Sequence, residues 1–178
     1  MKAQMRRFLM LITILVSCRT HATGLAAEPV SVTGDKGGFR VRKTVETIID
    51  AEGLNFARGP WGTCINGQTF QEQAVATHRG WQYATYFHSS GRLAVARRQL
   101  PAGPWQRIHF DDYRIRHNDV HNVAVLGICP GDGTVHLAFD HHGHPLHYRV
   151  SKPGVATQPD RFTWDASLFG PTTDTLDG

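Results

Sequence analysis

From Phe70 to Phe110 apolar and polar positions alternate in short runs broken by turn-forming residues. WQYATYF (Trp81 to Phe87) runs into the turn HSSG, RLAVARRQ (Arg92 to Gln99) into PAG, and PWQRIHF (Pro104 to Phe110) follows. A period of two marks a strand with one face buried, and clusters of Gly, Pro and Ser end such strands. Between Gly67 and Phe110 no helical periodicity competes with this pattern. It predicts an antiparallel sheet.

The pattern then recurs. WQYATYFHSSGRLAVARR, starting at Trp81, lies without a gap over TVHLAFDHHGHPLHYRVS, starting at Thr134, so that Tyr86 falls on Phe139, Gly91 on His144 and Leu93 on Leu146. Upstream, FQEQAVATH (Phe70 to His78) faces NVAVLGICP (Asn122 to Pro130) at almost the same offset. Four short strands recurring about every 50 residues is the signature of β-propeller blades. The fold class expected is therefore all-β, with recognisable blades at about 70–110 and 119–165. SVTGDKGGFRVRKTVETII (Ser31 to Ile49) is a candidate for part of a further blade. A closed propeller needs about four to eight blades, so the chain is expected to be the N-terminal part of a larger one.

The first 27 residues belong to a different class. Lys2, Arg6 and Arg7 precede the apolar run FLMLITILVS (Phe8 to Ser17), the layout of an export signal that is too short to span a bilayer. Cleavage is expected either at the lipobox-like LVSC, leaving a lipid anchor on Cys18, or near Ala26 and Ala27. Both exits lead out of the cytoplasm, to the periplasm, an outer-membrane lipoprotein or the extracellular space. The segment also explains the charge. The formal net charge is +4, but Lys2, Arg6, Arg7 and Arg19 all precede Ala27 and no acidic residue does. The remaining 28–178 domain carries 15 basic and 15 acidic residues, which removes the main argument for nucleic-acid binding. Beyond Cys18 only Cys64 and Cys129 remain, too few for a disulfide framework.

The candidate chemistry lies in histidine. FDHHGHPLHY (Phe139 to Tyr148) holds four in ten residues, and RHNDVHN before it adds His117 and His121. The sister blade turns at the equivalent point with His88-Ser89-Ser90-Gly91, so the scaffold does not require His141, His142 and His144. His121 opens one strand of a hairpin, while His141 and His142 follow its partner strand. Antiparallel pairing brings these ends together, and His121 is expected to face one of the later two. An imidazole pair can act as acid and base near neutral pH. Alternatively His117, His121, Asp140, His142 and His144 can gather an ion. No cofactor is firmly implied, but a structural or catalytic divalent metal, Zn²⁺ or Ca²⁺, is compatible with these donors. His136 and His147 fall within strands, where each is expected to be a packed or solvent-facing histidine.

The stretches WGTCINGQTFQEQAVATHRGWQYATYF, RHNDVHNVAVLGICPGDGTVHLAFDHHGHPLHYRVS and WDASLFGP resemble the BNR-repeat, neuraminidase-like family. That family is similar in turn to the seven-bladed propeller lyases of ulvan and related uronic-acid polysaccharides. The resemblance covers about Ala51 to Gly170. It implies that the chain forms the first two to three blades of seven, with a cleft across one face. Carried over residue by residue, it implies His121 and His142 as catalytic, with His141 a less favoured substitute and Asn122 completing the first motif. Asn66 and Gln68 are candidate sugar contacts. The implied partner is an anionic polysaccharide cleaved by β-elimination. The lyases also use a tyrosine and an arginine from later blades, so this chain alone is expected to be inactive. Two rivals stand beside that reading. A sialidase-like hydrolase needs Asp boxes and paired carboxylates, and PGDGTVHLAFD only echoes the first. A carbohydrate-binding propeller without catalysis is the other.

Overall fold

The computed structural model describes residues 43–54, 65–67, 71–115, 119–143 and 145–174. The segment expected to be an export signal, Cys18, Cys64, Gln68, His117 and His144 lie outside them. The chain divides into two units, residues 1–46 and 47–178. In the first, the described residues carry an ion pair between Lys43 and Glu46. The second holds seven described strands.

β1 (Val75–His78), β2 (Trp81–Phe87), β3 (Arg92–Gln99) and β4 (Gln106–Arg114) form one antiparallel meander in that order. β5 (Ala124–Ile128), β6 (Val135–Phe139) and β7 (His147–Val150) form a second. Among the described residues the only helical elements are two short 3₁₀ turns, Pro159–Arg161 and Ala166–Leu168, and no helix is long and apolar enough to cross a membrane. The fold is all-β and built of propeller-type blades. The expected fourth strand of the second blade is reduced to isolated bridges, Ser151 with Phe169 and Tyr148 with Thr173.

The register carries the repeat. Ala84 faces Ala96 in the first sheet, and Leu137 faces Arg149 in the second, each partner 53 positions on. The innermost strands keep a different offset, because Val75 faces Ala84 whereas Leu126 faces Leu137. Their hairpins explain it. β1 and β2 are joined by Arg79 and Gly80, both at positive φ, as a tight two-residue turn requires. β5 and β6 are joined by the longer loop Cys129–Thr134, in which Asp132 accepts the backbone N–H of Thr134 at 2.9 Å. Cys129 keeps a free thiol.

Both faces of β2 and β3 are covered, so their buried positions run nearly unbroken. One face sends Tyr83, Phe87, Leu93 and Val95 into a core shared with Leu126, Val135, Leu137 and Phe139 of the second sheet. Burying each such side chain contributes about 1.5–3 kcal/mol. The other face carries Tyr86, Ala94 and Ala96 under Ile49 and Trp105. Polar links fix the two sheets against each other. Gln71, itself buried, donates its amide to the Ala124 carbonyl at 2.8 Å, and Leu126 N–H donates to the Gln73 carbonyl at 2.8 Å. The start of β5, and with it the segment carrying His121, is anchored by the preceding blade.

Candidate functional site

The site begins with a local turn. Asp119 Oδ1 accepts the backbone N–H of His121 at 2.9 Å, a carboxylate closing on the residue two positions ahead. The same oxygen lies 2.5 Å from Nδ1 of the His121 ring. Its other oxygen reaches Nδ1 of His142, 23 residues on, at 3.1 Å. One carboxylate thus holds two imidazoles, whose ring centroids stand 4.6 Å apart at 45°. Burial pushes the Asp119 carboxyl up, but the His121 N–H and the two rings outweigh it and hold the group below the ordinary carboxylate value. The rings themselves remain open to solvent, 42% for His121 and 57% for His142.

Tertiary pairing puts His142 there. β6 ends at Phe139, and Asp140 takes a positive φ of 47°, a conformation aspartate tolerates better than most residues. Its N–H donates to the Val123 carbonyl. The next turn is held by Asn122, whose Oδ1 accepts the His142 N–H at 3.0 Å. Asn122 is wholly enclosed, so it braces the histidine turn from inside. Its Nδ2 has no hydrogen-bond partner among the described residues.

His141 is exposed and does not join the pair. Asn66 lies beside the first blade, where its amide donates to the carbonyls of Leu54 (2.9 Å) and Phe87 (2.7 Å) and accepts the Phe87 N–H. His136 is spent on Thr134 Oγ1 at 2.7 Å and the Tyr148 hydroxyl at 2.5 Å. His147 stacks on Phe139 and contacts the Asp140 carbonyl. The Asp140 side chain turns into the core and accepts from the Tyr113 hydroxyl. Asp119 is therefore the carboxylate beside the pair, and the sequence reading passed over it. Its signal was the Asp-x-His spacing that closes such a turn. Asp111 and Asp112 diverge as an extended strand requires, one to Arg92 and the other to Arg149.

Among the described residues, two groups bring metal-type donors within 4.8 Å of one another: Asp119, His121 and His142, and a second set, Asp50, His88 and His109. The second set belongs to the first blade. A cavity of about 360 Å³ opens there, bounded by Asp50, Asn66, Ala84 and Tyr86 among others.

Comparison with known proteins agrees with this architecture. A solved structure, the polysaccharide lyase Uly1, superposes with a TM-score of 0.56 at 17% identity, over 75% of this chain and 31% of the lyase. This chain thus spans less than a third of that protein's length, and the likeness is one of fold. No curated protein matches in sequence. The model for BNR repeat-containing family members matches residues 81–178, from β2 through the histidine pair and beyond, and the chain belongs to that family.

Proposed function

We propose that this segment carries the histidine pair of an exported polysaccharide lyase, which cleaves a uronic-acid polymer by β-elimination. The observation that carries the reading is the pair itself: two solvent-open imidazoles side by side, both turned by a single carboxylate. Each Nδ1 lies on Asp119, and His142 Nε2 makes no hydrogen bond to the described residues. A neutral ring beside a charged one supplies a base and an acid within reach of one sugar. The base removes the C5 proton of the uronate, and the C4 oxygen leaves with a proton from the acid. Asp119 stabilises the charged ring as it forms, while Asn122 holds the His142 turn. Neutralising the substrate carboxylate, which acidifies C5, falls to groups beyond these. The similarity to a polysaccharide lyase supports the substrate class. The tying of Asp111 and Asp112 into separate ion pairs weighs against a hydrolase built on them.

The test is an assay of this chain, and of any longer form containing it, against ulvan, other uronic-acid polymers and a sialoside. Unsaturated uronate, seen by ultraviolet absorbance and lost in His142→Gln, supports the lyase. Sialic acid release, or binding without product by the longer form, overturns it.

A further inference from the structure

We infer that Asp50, His88 and His109, joined by Glu52, form a structural binding site for a divalent transition metal, with Zn²⁺ the ion that the donors suit best.

The donors come from three separate places. Asp50 and Glu52 lie in the segment ahead of the first sheet, His88 just past the end of β2, and His109 in β4. That leading segment runs along the end of β2, with Gly53 bridged to His88, Leu54 N–H on the Phe87 carbonyl at 2.8 Å, and Ser89 N–H on the Glu52 carbonyl at 2.7 Å. This pairing delivers both carboxylates to the imidazoles. His109 Nε2 lies 3.1 Å from Asp50 Oδ2, and His88 Nε2 lies 2.9 Å from Glu52 Oε2. Tetrahedral Zn²⁺ with bonds of about 2.0–2.2 Å sets its ligands roughly 3.3 Å apart, so the His109–Asp50 edge already has the required length. The two rings stand 4.6 Å apart at 45°, which leaves His88 a small shift to make.

Contrast with the other pair separates the roles. His88 and His109 repeat the ring geometry of His121 and His142, but they are enclosed: the side chains of His88 and Asp50 are each 10% exposed and that of His109 26%. Outside the three donors that lie within 4.8 Å of one another, Glu52 adds a carboxylate at the rim, 2.9 Å from His88 Nε2. A closed set of four nitrogen and oxygen donors is the design of a structural ion, whereas an open one leaves room for substrate.

An outer ring of contacts is also in place. The Tyr86 hydroxyl donates to Asp50 Oδ2 at 2.8 Å, and Ser90 Oγ lies 2.8 Å from His88 Nδ1. Such partners orient ligand carboxylates and imidazoles. Without metal, Ser90 N–H also reaches His88 Nδ1, at 3.1 Å. Coordination through Nε2 moves the ring proton to Nδ1, which then donates to Ser90 Oγ. Two imidazoles with two carboxylates favour Zn²⁺ over Ca²⁺ or Mg²⁺, which prefer all-oxygen sets. The ion would clasp the leading segment to the first blade.

The test uses the full chain carrying His121→Gln and His142→Gln, so that the open cluster cannot compete, after dialysis against a chelator. Zn²⁺ is titrated by calorimetry and Co²⁺ by visible absorption. Binding is expected, with a rise in Tm on Zn²⁺ addition. Adding His109→Gln should weaken affinity about tenfold or more and abolish the Tm rise. Glu52→Gln, at a side chain 73% exposed and so harmless to folding, should weaken it as well. Failure of the parent chain to bind either ion overturns the site. Binding that survives both substitutions unchanged overturns it too, because the ion is then held elsewhere.

Discussion

Asp119 Oδ2 stands 3.1 Å from Nδ1 of His142, a residue 23 positions away that sits in the turn after β6. The same carboxylate holds its near neighbour His121 through the other oxygen, so it couples a local turn to a tertiary contact. Asp119→Asn keeps the shape but supplies an amide that can turn a donor toward one ring. If the lyase reading holds, elimination should fall about 10²–10⁴-fold, with the far-UV circular dichroism unchanged. Full activity in this variant would remove Asp119 from the mechanism.

Acid should weaken the fold through Asp112. Burial raises its carboxyl, but the Thr172 N–H and the Arg149 charge prevail and hold it below the ordinary carboxylate value. A depressed folded value means stability that is present above the unfolded carboxyl value, about 4, and lost as pH falls through the folded one. Wild type should therefore exceed Asp112→Asn in Tm at neutral pH, with the gap closing as pH drops below about 4. A gap that stays constant into acid would show that the ion pair is not its source.

Arg97 is expected to be the most sensitive charged position in the core. Its guanidinium lies over Trp81 at 4.9 Å and Trp164 at 4.6 Å, and donates to the carbonyls of Pro159 and Phe162, both at 3.0 Å. Arg97→Met leaves those carbonyls without their donor and should cost about 2–4 kcal/mol in chemical denaturation. Lysine should not restore it, because the planar fork is what serves two acceptors and two rings at once.

Two turn glycines separate backbone strain from crowding. Gly133 and Gly143 both have positive φ, 75° and 68°. A Cβ at Gly133 would meet Thr157 Oγ1 at 2.3 Å and Thr157 N at 2.9 Å, whereas one at Gly143 meets nothing within 4 Å. Gly143→Ala should cost about 1 kcal/mol. Gly133→Ala should cost about 2–3 kcal/mol, since backbone atoms cannot step aside. Equal losses in thermal unfolding would refute the crowding argument.

The strands were legible in the chain because their period of two is a local property. Trp81–Phe87 and Arg92–Gln99 fall where the alternation puts them, and the repeat carries over as a shared β2–β3 and β6–β7 register. The approach of His121 to one of His141 and His142 also followed from the sequence, since antiparallel pairing brings the start of one strand to the end of the next. The choice between those two histidines did not follow from pairing, although the family resemblance favoured His142. It depends on the φ of Asp140 and on the buried Asn122 amide that accepts the His142 N–H, and neither is visible in periodicity. Asp119 escaped for a similar reason. Its turn onto His121 is local, but its significance comes from the second oxygen reaching His142 across the hairpin.

Most remote from the sequence was the cluster of Asp50, His88 and His109. Its residues are spread over 60 positions, and His88 looked like ordinary turn chemistry. Alternation and repeat length express how each segment buries one face, so they specify strands and their order. Which polar side chains meet depends on where loops of unequal length deliver them once the sheets have packed, and only the folded chain decides that.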